Sequence, residues 1–123
     1  MPNKRELEQQ VSKAIIRFEK EYMGRGPLET RSFIIEDMVL IRLKGVLTPA
    51  ELKLAESEER QRGHYLIKQV RQELIERGRP LLDTAIKDIL NVSVVSLHTD
   101  ISAKTGERII VLTLEQRPEF SAD

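Results

Sequence analysis

Apolar residues recur every three or four positions between residues 4 and 23, which is the period of an α-helix with one buried face. The apolar positions of this stripe are Leu7, Val11, Ile15, Phe18 and Tyr22. Gly24 follows directly, and glycine readily takes the left-handed conformation that ends many helices. Pro27 comes shortly afterwards, where it prevents the helix from continuing. The pattern therefore predicts a helix over residues 4–23.

The hydrophobic period changes to two in the next segment, residues 31–45. Inward and outward positions alternate over Val39, Leu40, Ile41, Arg42, Leu43 and Lys44. Such alternation is typical of a strand with one buried face. The polar pair Glu36-Asp37 divides the segment and predicts a tight turn, although it has no Gly or Asn. We expect a β-hairpin over residues 31–45.

The middle of the chain returns to helical patterning. Thr48-Pro49-Ala50-Glu51 combines a capping threonine, a proline at the first helical position and a glutamate three residues after the cap. Gly78-Arg79-Pro80 predicts a break, which gives helices over residues 49–77 and 80–90. Within the first of these helices, the positions predicted to face inward are Leu52, Ala55, Leu66, Val70 and Leu74. Residues 56–63 are almost wholly polar and end in a glycine, so the pattern leaves open whether 49–77 is one helix or two.

The last third predicts a second hairpin over residues 92–115, followed by a short tail over residues 117–123. Its β-branched strands flank a turn at Lys104-Thr105-Gly106-Glu107, where Gly106 suits a positive φ. The order α-β-β-α-α-β-β indicates an α+β fold. We expect a single domain, over residues 1–123, with a two-layer architecture in which helices cover a four-stranded antiparallel sheet. The open edges of such a sheet could pair across a homodimer.

The composition of the chain excludes several classes of function, but it does not identify the function. The 123 residues hold 20 Lys plus Arg and 20 Asp plus Glu, no Cys and two His. These counts exclude disulfide frameworks and thiolate chemistry, and we expect no metal and no cofactor. Apolar runs such as Met38–Ile41 fall far below the roughly 20 residues of a membrane span. The charged N-terminus lacks the apolar stretch of a secretory leader, so we expect a cytoplasmic protein without direct membrane insertion.

The turn from Gly24 to Pro27 is the most unusual local sequence. Gly24, Arg25, Gly26 and Pro27 could bind a small anion or nucleotide through exposed backbone N–H groups and the Arg25 charge, with Arg31 in support. The alternative is an ordinary helix-capping turn, which Gly and Pro already explain.

Two residues on the predicted third strand form a second candidate. His98 and Asp100 lie two apart, so both project from the same face of the strand. Such a pair could serve acid–base or metal chemistry, but no third partner can be placed. No nucleophile, base and orienting group can be combined anywhere in the chain. We therefore expect no catalytic residue and no enzyme activity.

A cluster of cations suggests nucleic-acid binding as a further, weaker hypothesis. Lys68, Arg71, Arg77 and Arg79 could form a basic patch on one helix. The zero net charge and the scarcity of aromatic residues argue against such binding.

Two short motifs carry a resemblance to a known family. Gly24-Arg25-Gly26-Pro27 ends the first helix, and Gly45-Val46-Leu47-Thr48-Pro49-Ala50-Glu51 enters the central one. Together with the late hairpin that carries Asp100 and Gly106, they resemble the MpsC-like family of small bacterial proteins over about residues 3–116. That family is described as part of a sodium-translocating, membrane-potential-generating system.

The resemblance implies a role beside a membrane system linked to ion movement and inorganic-carbon uptake. A chain without a spanning segment would then be a non-enzymatic accessory or regulatory subunit, peripheral to the inner face of the membrane through a transporter component. The family supplies no catalytic residues to carry over. The positions of interest remain the Gly24–Pro27 turn and Asp100.

Overall fold

The computed structural model describes residues 1–122; Asp123, the last residue of the predicted tail, lies outside the described part. Helix α1 spans Lys4–Met23, and the hairpin that follows consists of β1 (Glu29–Ile35) and β2 (Met38–Lys44). Two further helices are α2 (Pro49–Ala55) and α3 (Arg60–Leu90). Strands β3 (Val94–Ile101) and β4 (Arg108–Leu114) complete the fold. The α+β class and the order α-β-β-α-α-β-β are confirmed.

The four strands form one antiparallel sheet in the order β1-β2-β4-β3. Because β2 pairs with β4, the two hairpins lie side by side with β1 and β3 at the edges. Each strand of the central pair directs alternate residues into the core, such as Val39 and Ile41 on β2 and Ile110 and Leu112 on β4. Helices α1 and α3 cover that inner face and pack against each other.

The predicted caps and turns lie where the sequence places them. Gly24 ends α1 with φ 78°, and Thr48 begins α2 with a capping box completed by Glu51. Gly106 has φ 74° in the second hairpin. The Glu36-Asp37 turn also forms, with Glu36 itself at φ 56°, so this turn uses a non-glycine residue in the left-handed region.

The predicted boundaries of the central helices are wrong. The helical segments are residues 49–55 and 60–90, so the break falls in the polar stretch before Gly63 and not at Gly78-Arg79-Pro80. Gly63, in the first turn of α3, permits the close approach of α2, because a Cβ there would lie 2.1 Å from the carbonyl oxygen of Leu54. Helix α3 continues through Pro80 as one element of 31 residues.

The predicted inward face of α3 is also displaced. Leu66 and Val70 are exposed, at 36% and 54%, and the buried positions form the neighbouring stripe. That stripe consists of Gly63, Ile67, Arg71, Ile75, Gly78, Leu82, Ile86 and Leu90. The short helix α2 likewise leaves Leu52 exposed and buries Ala55. An arginine therefore occupies the middle of the buried face of α3.

Candidate functional site

The centre of the helical layer contains a buried ionic network around Arg71. Arg71 is 2% exposed and donates from Nε and Nη2 to the two carboxylate oxygens of Glu51, at 2.8 and 2.6 Å. Nη2 also donates to the carbonyl oxygen of Val46 at 2.7 Å. Arg71 thus ties α3 to α2 through the two-pronged geometry that makes arginine–carboxylate pairs strong, and it also holds the loop before α2.

A second arginine enters the same network from the sheet. Arg108 begins β4 on its inward side and is 1% exposed. Its Nε donates to the Thr99 hydroxyl at 3.2 Å. Glu19 of α1, which is fully buried, lies between the arginines, with one carboxylate oxygen 3.5 Å from Nη1 of Arg71 and the other 3.8 Å from Nη1 of Arg108.

The long contact between Glu19 and Arg108 leaves both groups incompletely bonded. A separation of 3.8 Å exceeds hydrogen-bond length. Among the described residues, neither Oε2 of Glu19 nor Nη1 of Arg108 has a hydrogen-bond partner. Unpaired polar atoms at such depth are unusual, because each one loses its hydration without a replacement.

Burial and charge shift the titration of these groups in opposite directions. Burial raises the pKa of Glu19, although Arg108 and Arg71 oppose that effect. Partial burial also acts to raise the pKa of Glu51, but hydrogen bonds from Arg71 and Thr48 outweigh it and hold that pKa below its usual range. Burial lowers the pKa of Arg108, against the opposing field of Glu19.

A surface cleft of about 340 Å³ opens beside the network, between α3 and the β3–β4 hairpin. The charged residues that line it are Lys68, Arg71, Asp100 and Arg108. The uncharged ones are Tyr65, Gln69, Gln72, Thr99 and Ile101. Three cations thus face this cleft beside a single carboxylate.

Asp100 is the one sequence-predicted site residue that lies in this cleft. Its carboxylate accepts a hydrogen bond from the backbone N–H of Ile101 at 2.8 Å and lies 3.2 Å from Nζ of Lys68. These two contacts, in that order of importance, hold the pKa of Asp100 below its usual range. His98, two residues earlier on β3, is exposed and contacts the Ser96 hydroxyl, and it does not line the cleft.

The residues of the predicted Gly24–Pro27 turn lie elsewhere. Arg25 donates from Nη1 to the carbonyl oxygen of Leu47 at 2.9 Å, which ties the turn to the loop before α2. Gly26 lies against the Lys20 side chain, and Gly24 acts as the helix cap. Arg31 projects from β1 and pairs with Glu29 at 3.2 Å. Anion binding at this turn stays a prediction.

The predicted basic patch is divided by the structure. Arg71 is buried in the network, while Arg77 pairs with Glu73 and Arg79 pairs with Asp83, each across one helical turn. Only Lys68 of the four faces the cleft together with Arg71. The arginines therefore do not form one continuous cationic surface.

Sequence reasoning missed Glu19, Glu51 and Arg108 as members of a site. Both core residues lie at inward positions of an otherwise apolar pattern. Glu19 lies four residues after Ile15 on the buried face of α1, and Arg108 lies two residues before Ile110 on the buried face of β4. A charged residue in phase with an apolar stripe was the available signal. Which charges meet depends on how α1, α3 and β4 pack, and no local pattern contains that information.

The outer face of the sheet is a second feature of functional interest. Cross-strand pairing places Phe33 beside Leu40 and Leu40 beside Val111. Phe33 is 41% exposed, and the helices cover only the opposite face. The charged side chains of Arg31 and Arg42 border this apolar row, which we call the open sheet face.

Comparisons with known proteins give one family model and one similar protein. The family model described as "Na+-translocating membrane potential-generating system (MpsC)" matches residues 3–116. The chain is also similar to the uncharacterized protein YbcI of Bacillus subtilis (strain 168), with 43% identity over 112 residues, or 91% of this chain and 88% of that protein. No solved structure matches the chain. In residues 1–122, no helix is both long and apolar enough to cross a bilayer.

Proposed function

Because the chain belongs to the MpsC family, we propose that it is a non-enzymatic accessory or regulatory subunit of a membrane ion- or inorganic-carbon-transport system. The observation that carries this proposal is the family match over residues 3–116, in a chain whose described part contains no membrane-spanning helix. Ion translocation needs a path through the bilayer. In this proposal another, membrane-embedded component supplies that path, and this chain acts on it from the cytoplasmic side.

The open sheet face is the surface we assign to this contact. It presents Phe33, Leu40 and Val111 in one row, bordered by charged side chains of which Arg42 pairs with Glu107. An apolar centre with a polar rim is the usual anatomy of a protein interface. The occupant that we propose is an extramembrane segment of the membrane-embedded component, because the family description places its members in such a system.

Affinity capture from detergent-solubilised membranes of the native cells tests this proposal. The bait is the full chain, and the matched variant is Phe33→Ser, which removes the most exposed apolar side chain of the row Phe33, Leu40 and Val111. We expect the wild-type bait to retain a protein with membrane-spanning segments and the variant to lose most of it. We expect this loss because a few large side chains, often aromatic, contribute most of the binding energy of an interface.

Leu81→Ser is the control, because Leu81 is 58% exposed on α3, away from the sheet. This variant should retain the same protein as the wild type. Retention of no membrane-embedded protein by the wild-type bait would contradict the proposed function. Equal retention by the Phe33 variant would contradict the assigned surface.

A further inference from the structure

We propose that the cleft between α3 and the β3–β4 hairpin binds a small oxyanion, a phosphate or carboxylate group, with Arg108 and Lys68 as its principal donors. The site differs from the Gly24–Pro27 turn, and it is independent of the subunit role proposed above. Nothing in the family description or in the relative's name assigns a ligand to this cleft.

The first support is the incomplete bonding of Arg108. Its side chain is 1% exposed and lines the cleft, and Nε, which donates to Thr99, is its one hydrogen-bonded nitrogen among residues 1–122. Nη1 is fully buried on the side of Glu19, so Nη2 is the donor left for a ligand in the cleft. Glu19, at 3.8 Å, neutralises part of the charge but is too distant to accept a hydrogen bond. A guanidinium with unused donors at the wall of a cavity is the arrangement with which proteins recognise carboxylate and phosphate.

The second support is the distribution of charge across the network. Glu19 and Glu51 lie behind the arginines and are not among the residues that line the cleft. The cations Lys68, Arg71 and Arg108 face it. A ligand in the cleft would therefore meet the positive side of a network that is balanced overall.

Asp100, whose carboxylate is the one that lines the cleft, leaves Lys68 available to bind a ligand. Asp100 is exposed, at 77% for its side chain, and its ion pair with Lys68 lies in solvent. Exposed pairs of this kind contribute little, because water screens the two charges. Lys68 can therefore turn from Asp100 to a bound oxyanion at little cost.

The size of the cleft limits the ligand. A volume of about 340 Å³ lies near the lower end of the range for small-molecule sites, roughly 300–1,000 Å³. Thr99, Gln69 and Gln72 add polar groups along the wall. These dimensions suit a small metabolite that carries one anionic group, and they exclude a polymer from the interior of the cleft.

Titration of the ¹⁵N-labelled full chain with sodium phosphate and, separately, with sodium acetate tests the proposal. Sodium chloride keeps the ionic strength constant, so that general screening does not contribute. We expect saturable amide shifts that are concentrated in residues 65–72 and 99–108. Saturation by phosphate alone identifies the ligand class as phosphate, and saturation by acetate identifies it as carboxylate. Absence of a saturable shift with both anions would overturn the proposal.

Lys68→Met provides the decisive variant, because Lys68 is half-exposed and its loss should not impair folding. A charge-assisted hydrogen bond contributes about 1.5 kcal/mol or more, so we expect an affinity loss of about tenfold. Arg77→Met, which removes a cation elsewhere on α3, should leave the affinity unchanged. Equal affinity of the Lys68 variant and the wild type would refute the assigned site. Arg108→Gln should abolish binding, and its spectrum shows directly whether the variant is folded.

Discussion

Arg71 is the residue on which the interior of the protein depends most. It connects α3 with Glu51 and with the carbonyl oxygen of Val46, and it approaches the fully buried Glu19. Removal of one partner from a buried ionic network leaves the others charged and unsolvated. Replacement of such a network as a whole by apolar residues often has a much smaller cost than removal of a single partner.

The substitution Arg71→Met should therefore lower the free energy of unfolding by about 3–5 kcal/mol. Urea denaturation of the full chain measures the change. Arg77→Met is the matched control, because Arg77 is exposed and pairs only with Glu73 one turn away; its effect should stay within about 0.5 kcal/mol. An Arg71 variant as stable as this control would contradict the network described above.

Glu51 gives the network a predictable dependence on pH. Its pKa in the folded protein is below the usual value, because hydrogen bonds from Arg71 and Thr48 outweigh the effect of its partial burial. An unfolded glutamate has a pKa of about 4.3. Between the folded pKa and that value the unfolded chain binds more protons, so stability rises with pH in this window. The contribution is complete above about pH 4.3 and is lost as the pH falls through the folded pKa.

A comparison of wild type with Glu51→Gln between pH 7 and pH 3 tests this dependence. The wild type should be clearly more stable at pH 7, and its advantage should shrink below about pH 4, because the carboxylate then becomes protonated. Denaturant midpoints at each pH provide the measurement. An advantage of constant size over the whole range would show that the charge of Glu51 does not contribute.

At the scale of elements, α3 shows how packing overrides the local signals for the end of a helix. Gly78 and Pro80 predict such an end, yet the helix continues through both. Gly78 is there because α1 approaches closely: a Cβ would lie 2.6 Å from Cε1 of Phe18. Pro80 has no N–H, so the carbonyl oxygen four residues before it receives no hydrogen bond within the helix. Pro80 is on the exposed side of α3, where water can solvate that oxygen.

Pro80→Ala should consequently stabilise the protein, by about 2 kcal/mol. Proline in a helix interior is about 3 kcal/mol less favourable than alanine. The unfolded chain of the variant is more flexible, however, and this reduces the gain in stability by up to about 1 kcal/mol. Thermal or urea unfolding measures the gain, with the exposed Lys87→Ala as a control that should change stability by only a few tenths of a kcal/mol. A destabilised Pro80 variant would mean that α1 and the sheet require the helix direction that proline sets.

At the scale of the whole molecule, both sheet edges are modified in ways that limit pairing. On β1, the backbone N–H of Ile34 donates to Glu8 of α1 at 2.8 Å. On β3, the register shifts between Val94 and Ser96, which leaves an irregular edge. Bulges and occupied edge groups are known means of preventing sheet extension. The homodimer expected from the sequence stays a prediction.

Glu8→Ala should increase self-association, because it frees the edge N–H of Ile34 for another chain. Sedimentation velocity over a range of protein concentrations measures the effect. Glu21→Ala is the control, since Glu21 is exposed on the same helix and pairs only with Arg17. Identical sedimentation of the Glu8 variant and this control would show that Glu8 does not protect the edge.

The sequence by itself determined the local elements and their order. Periods of 3.6 and 2, the capping box at Thr48 and the glycines at positions 24 and 106 specify α1, the start of α2, the four strands and their turns within a few residues of the observed bounds. The boundary between α2 and α3 was not specified in this way. The other elements are predictable because capping, turn geometry and amphipathic periodicity act between residues close in the chain. The same information also carries the family resemblance, since both of its motifs are short and continuous.

Tertiary structure alone decided which charged residues meet. Glu19, Arg71 and Arg108 come from α1, α3 and β4, and they converge only when both helices pack on the sheet. Packing also decided that α3 passes through Gly78 and Pro80, because Phe18 approaches α3 so closely that only a glycine fits at position 78. The charge network and the continuous helix both depend on contacts between residues 50 or more apart in the chain, and a local sequence pattern does not contain such contacts.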